Sequence, residues 1–193
     1  MPDSKPEMSS SSTTMGSVGL ALGSTAIDFH LKGVDGKSYS LKDFAQRRAL
    51  IIIFSCNHCP YVRDYEDRMV QIQRDYAGKS VTLVGINSND DHNYPEDSFE
   101  KMIQRSKDKG FNFPYLRDET QDIAHKYGAI CTPHVFAFDQ QRTLQYKGRI
   151  DDSRNVAEVK SNDLRNALDS ILASRKPSVQ ETRPFGCSIK WKN

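Results

Sequence analysis

Two cysteines separated by two residues, in Cys56-Asn57-His58-Cys59-Pro60, follow the apolar run Ile51-Ile52-Ile53-Phe54 and precede a segment of helical periodicity. A pair so placed suits dithiol redox chemistry. A helix N-terminus leaves unpaired N–H groups and a partial positive charge, and both favour a thiolate, the nucleophilic form of cysteine. Cysteines three positions apart at a helix start share one face, so one can attack a mixed disulfide held on the other. Read by position, Cys56 lies on the exposed turn and attacks, and Cys59 resolves. His58, beside Cys59, would stabilise the reduced thiolate by charge or a hydrogen bond and make the pair more oxidising; a solvent-facing loop histidine is the equally simple reading.

The elements that must hold this pair follow from periodicity. Residues 26–29 and 38–41 flank Asp35-Gly36-Lys37, an N-terminal hairpin signal. A turn of helix at 40–44 precedes a buried strand at 50–54. The helix after the cysteines runs over 62–76, with Val62, Tyr65, Met69, Ile72 and Tyr76 on one face and Gly78 at its end. A second buried strand at 81–86 is followed by a helix over 98–109, closed by Gly110. A short segment at 113–116 leads to a helix over 120–127, ended by Gly128. Strands at 135–138 and 144–150 enclose a polar turn, and 156–173 supplies a last helix. This alternation predicts a mixed α/β sheet with helices on both faces and its chemistry at the carboxyl ends of strands. Cys56 lies at one such end. The polar loop 87–93 lies at another and reads as a solvated loop capping the next helix, with Pro95 near its first turn.

Composition narrows the function. The 27 basic residues nearly balance 25 acidic ones, and no basic cluster interleaves with aromatics, so nothing points to nucleic acid. No apolar run approaches the ~20 residues of a membrane span. Four cysteines with one close pair form neither a disulfide scaffold nor a zinc ribbon, and suit a redox motif in a reducing, cytoplasmic setting. Residues 1–21, rich in Ser, Thr, Gly and Met, lack the basic start and apolar core of a secretory signal and read as disordered; Val18-Gly19-Leu20-Ala21-Leu22 leaves an organelle address open. Residues 22–176 then form one domain and 177–193 a tail. Nothing local indicates an oligomeric state.

The strand ending on Cys56-Asn57-His58-Cys59, the stretch Phe113-Pro114-Tyr115-Leu116-Arg117-Asp118 leading to Ala124-His125-Lys126-Tyr127-Gly128, and Thr132-Pro133 before the last hairpin together resemble the thioredoxin-like superfamily. The resemblance, to its AhpC/TSA or redoxin branch and to peroxiredoxin-like members in particular, covers roughly residues 22–173. It implies a three-layer α/β fold, a reactive thiol and antioxidant or thiol-disulfide oxidoreductase activity without an organic cofactor. A thioredoxin or glutathione system would recycle the pair, and the substrate would be a disulfide or oxidised thiol. Pro133 matches the proline such folds keep in the cis form beside the cysteines, where the missing N–H leaves a flat surface facing the dithiol. The Thr132 backbone would then be free to pair with an extended peptide as an added strand. Asn57, His58, Pro60, Thr132 and Pro133 are thus the site-shaping residues.

The chain departs from the peroxidase motif Pro-x-x-x-Thr/Ser-x-x-Cys. Counting back from Cys56, the threonine and proline places hold Ile53 and Ala49; from Cys59 they hold Cys56 and Ile52. No hydroxyl orients a peroxide in either register, so disulfide exchange is expected over efficient peroxidase chemistry. Arg149 could supply a cation, but an arginine on a hairpin strand is more simply a surface ion-pair residue.

Cys131, two residues before Pro133, should approach the dithiol in this fold, as a further redox thiol or a small buried filler. Cys187 sits in the tail Arg183-Pro184-Phe185-Gly186-Cys187-Ser188-Ile189-Lys190-Trp191, too apolar for a disordered end and expected to pack back with Cys187 as a relay thiol. The alternative function is a copper- or zinc-binding module, since thiolates suit both metals and a cysteine pair plus a histidine can hold them; His125 and His134 are the downstream candidates.

Overall fold

The computed structural model describes residues 19–193. In chain order the strands are β1 (Leu31–Gly33), β2 (Ser38–Tyr39), β3 (Ala49–Ser55), β4 (Val81–Asn87), β5 (Tyr115–Arg117), β6 (Cys131–Thr132), β7 (His134–Phe138), β8 (Leu144–Gly148) and β9 (Cys187–Ser188). The helices are α1 (Pro60–Ala77), α2 (Phe99–Asp108), α3 (Asp122–Tyr127) and α4 (Asp163–Leu172). Seven strands form one mixed sheet in the order β2-β1-β5-β4-β3-β7-β8, and β6 pairs with β9 apart from it.

β3 is the central strand, parallel to β4 and antiparallel to β7. It is apolar at nearly every position because both its faces are covered. Leu50, Ile52 and Phe54 join Tyr127 of α3 on one face, while Ala49, Ile51 and Ile53 meet the apolar stripes of α1 and α4 on the other. Helices therefore lie on both sides of the sheet, as the alternation predicts.

The N-terminal hairpin is present, but its first strand is Leu31–Gly33 rather than 26–29. The turn closes through Gly36 N–H to Gly33 O, and Asp35 accepts the Lys37 N–H, which sets Leu31 opposite Tyr39. Ala26 and Phe29 serve as core residues instead. α4 starts later than its periodicity suggests. Asp152 Oδ1 accepts the N–H groups of Lys160 and Ser161, holding that backbone in a loop, and Val156 lies in an exposed 3₁₀ turn. Residues 113–116, given no element in advance, overlap β5, which joins β4 to β1.

The expected disordered segment lies mostly outside the described residues; from Gly19 onward the chain is packed, with Leu20 buried and donating its N–H to Tyr127 O. At the other end the tail runs along the β8 edge, where Thr182 N–H bonds Lys147 O. Gly148 faces Thr182 there with φ +141°, and a Cβ would run into that residue's backbone. Phe185 then packs on Tyr61 and Tyr65, and Trp191 stacks on His125 at 4.0 Å between ring centroids. No described helix is long and apolar enough to cross a membrane.

Candidate active site

The chain leaves β3 at Ser55, passes through Cys56-Asn57-His58 as a loop, and enters α1 with Cys59 as the N-cap and Pro60 at the first helical position. Proline suits that position because its missing N–H would have no partner there. Cys59, not Cys56, therefore stands at the helix N-terminus. Nor is Cys56 on an exposed turn: it is 1% exposed and Cys59 0%.

The loop is held from within by Asp97, itself fully buried. Its Oδ1 accepts the Asn57 N–H at 2.6 Å and the Asn87 amide at 3.2 Å; its Oδ2 accepts the Asn89 amide at 2.9 Å and faces His58 Nδ1. Asn57 is fixed further by Glu96 O and by the Tyr115 hydroxyl, and Arg63 Nε donates to its carbonyl. His58 stacks on Tyr94 and turns Nδ1 to Asp97 rather than to either sulfur. The 87–93 segment, expected to be solvated, is buried from Asn87 to Asp90: Asn87 and Asn89 join this network, Ser88 donates to Asp118, and the Asp90 N–H bonds Lys190 O. Asp97 and Tyr94 carry no sequence signal of this role, since Pro95-Glu96-Asp97 reads as an ordinary helix entry far from the cysteines.

Thr132 and Pro133 come to the dithiol as the resemblance implies, and the peptide between them is cis. Thr132 Oγ1 is 3.2 Å from Cys56 Sγ, and Thr132 O is 3.4 Å from Cys59 Sγ. Cys131 points its thiol at Pro133 O, 3.8 Å away, and burial pushes its pKa up to about 12. Cys187 lies opposite Thr132 in the β6–β9 pair and packs, half-buried, on the cluster of Cys56, Cys59 and Val62. All four cysteines thus meet at one end of the sheet.

The two central sulfurs share a proton unequally. Cys59 is drawn down to about 4, first by the Cys56 thiol and, against the opposing effect of burial, by the Cys187 thiol and the Val62 and Cys187 N–H groups. Cys56 is held well above its ordinary value by burial, then by its bond to Cys59, then by the charge of Asp97. These causes favour the thiolate on Cys59 and the protonated form on Cys56. Asp97→Asn is expected to lower the Cys56 pKa, because it removes a nearby negative charge, and to destabilise the fold by about 2–4 kcal/mol, because buried donors lose their acceptor. Thiolate absorbance against pH and a urea unfolding curve measure the two effects.

Other expected groups are engaged elsewhere. Arg149 is taken up by Asp163 at 2.7 Å. Ile52 and Ile53, at the places a peroxidase motif would use, are core residues. The metal reading is not supported. His125 is stacked on Trp191, while His134 packs on Phe136 and accepts the Ile130 N–H, with burial drawing its pKa down to about 4. Among the described residues the metal-like grouping is Cys56, His58 and Asp97. It omits Cys59, and its histidine and carboxylate already bond one another and the Asn57 N–H.

The chain is 43% identical to an uncharacterised conserved protein of Geobacillus kaustophilus of known structure, with a TM-score of 0.85 over 89% of this chain and 93% of that one. The fold is thioredoxin-like: the thioredoxin domain of a thiol-disulfide oxidoreductase from Bacteroides vulgatus superposes with a TM-score of 0.63 at 18% identity, over 79% and 99% of the two chains. Thiol-disulfide oxidoreductase ResA of Geobacillus thermodenitrificans is 25% identical over 123 residues, 63% of this chain, and the match spans 65% of that relative's length. The sequence profile of the AhpC/TSA family matches residues 22–147, and with the cysteines and the Thr132-Pro133 turn inside that span, the chain belongs to the AhpC/TSA family.

Proposed function

We propose that the protein is a thiol-disulfide oxidoreductase in which Cys59 attacks and Cys56 resolves, the reverse of the order expected from sequence alone. The observation that carries this reading is the placement of Cys59 at the N-terminus of α1, where the Val62 and Cys187 N–H groups and the Cys56 thiol favour its thiolate. The Cys59 thiolate attacks one sulfur of a disulfide, forming a mixed disulfide and expelling the other sulfur as a thiolate, which is protonated. Cys56 then gives up its proton and attacks Cys59 Sγ, so the second substrate thiol leaves and the Cys56–Cys59 disulfide remains. The substrate gains two electrons and the enzyme pair loses them. A thioredoxin or glutathione system of a reducing compartment returns the electrons.

Disulfides or oxidised thiols suit this site better than peroxides. No hydroxyl occupies the place a peroxidase motif requires, and Arg149 is committed to an ion pair. A redox titration in defined thiol buffers, with mass mapping of the paired cysteines, tests the proposal. The expected result is a reversible Cys56–Cys59 disulfide with a midpoint between roughly −270 and −120 mV, the span of known dithiol oxidoreductases. Failure of that bond to form at any poise would rule the reading out.

A further inference from the structure

The Thr132 backbone, where a thioredoxin-like site would take an extended peptide, is already paired. β9 lies antiparallel on β6 with Thr132 opposite Cys187 and Cys131 opposite Ser188. The approach is close enough that Gly186 has no room for a side chain: a Cβ there would collide with Thr132 O. Beyond the strand, Asp90 N–H bonds Lys190 O and Lys190 N–H bonds Asn89 Oδ1, tying the tail to the same polar loop that Asp97 organises. The tail therefore lies as a bound peptide would, and the residue it sets against the Cys59 sulfur is a cysteine.

We propose that Cys187 is a third redox thiol, carried on a built-in peptide mimic, which takes over the disulfide from Cys56–Cys59 as Cys59–Cys187. The step rests on the dithiol reading above. Cys187 loses its proton and attacks Cys59 Sγ; the Cys187–Cys59 bond forms, the Cys56–Cys59 bond breaks, and Cys56 leaves with the proton. No electrons enter or leave, because the substrate has already supplied the oxidation. The sequence of events is self-timed. In the reduced protein burial, and then the neighbouring Cys59, push Cys187 up to about 11, against the pull of Lys190 and Arg154. Oxidation of Cys59 removes the second cause and leaves the cations. The exchange also moves the disulfide from enclosed Cys56 to half-buried Cys187, where an external dithiol can attack and expel Cys59, the sulfur with the lower pKa and so the better leaving group.

The test is to oxidise the reduced chain with limiting glutathione disulfide, quench by acid and alkylation, and map the linked peptides. Cys59–Cys187 should coexist with Cys56–Cys59 in a ratio independent of protein concentration, and Cys131, with its thiol on Pro133 O, should remain unlinked. Gly186→Ala, which pushes β9 off Thr132, should lower the share of Cys59–Cys187 by at least about tenfold through loss of effective concentration. Cys56–Cys59 alone in the wild-type chain, or a Gly186→Ala mixture equal to wild type, overturns the relay. If Gly186→Ala does not fold, the wild-type map alone decides. Absence of both linkages overturns the dithiol reading itself, which separates the two failures.

Discussion

Cys59→Ser is expected to lower disulfide-reductase turnover by about a thousandfold or more, as loss of a nucleophile does, while Cys56→Ser keeps the attack and accumulates partners bound through Cys59. The asymmetry follows from where the charge sits. Cys59 has the Cys56 and Cys187 thiols and the Val62 and Cys187 N–H groups to hold a thiolate; Cys56 has burial and the Asp97 carboxylate against it. A serine at 56 still offers a hydroxyl to Cys59, so its thiolate persists. In the single variant Cys187 remains beside the mixed disulfide and can release the partner, so the most stable trapping is expected from Cys56→Ser combined with Cys187→Ser. Non-reducing gels followed by peptide mapping read the result. Partners held on Cys56 in Cys59→Ser would restore the assignment in which the first cysteine attacks.

Why sequence position and the folded site favour different cysteines as the attacker is itself physical. The strand 49–55, its apolar run and the reach of α1 were legible because β3 is covered on both faces and α1 repeats its apolar positions at helical spacing. The meeting of Thr132-Pro133 with the dithiol was legible through the family resemblance, and the packing of the tail through its apolar content. What was hidden is long-range. Helix α1 begins at Pro60, two residues before the periodicity expects, and the turn ahead of it is not exposed: Asp97, some forty positions on, holds the Asn57 N–H and His58 Nδ1, and Cys56 and Asn57 are buried. Local pattern has no access to such a bond. The same holds for the start of the loop 87–93: Asn87, Asn89 and Asp90 look solvated, yet they are buried, the two asparagines donating to Asp97 and Asn89 and Asp90 bonding Lys190 of the tail. β6 and β9 are two residues each, too short for any alternation to register, and their close approach depends on Gly186, where a Cβ would meet Thr132 O.

The reduced protein should carry its active-site charge over an unusually wide pH range. With the Cys59 pKa near 4, the rate of its alkylation by a small reagent should be nearly flat from about pH 5 to 8, whereas an ordinary thiol of pKa ~8.5 speeds up about tenfold per unit there. Stability is linked to the same proton. Between about pH 4 and ~8.5 the unfolded chain keeps a proton on Cys59 that the native protein has lost, so the reduced fold gains stability as pH rises through this window and loses it again as pH falls through the folded value. Above ~8.5 the sign reverses, because native Cys56 retains a proton that the unfolded chain gives up. The oxidised protein has neither group to titrate. Urea midpoints of the two forms should therefore diverge in favour of the reduced form from acid toward neutral pH, and draw together again in alkali. Equal pH slopes in both forms would mean that neither sulfur is a thiolate at neutral pH, and the attack by Cys59 would lose its physical basis.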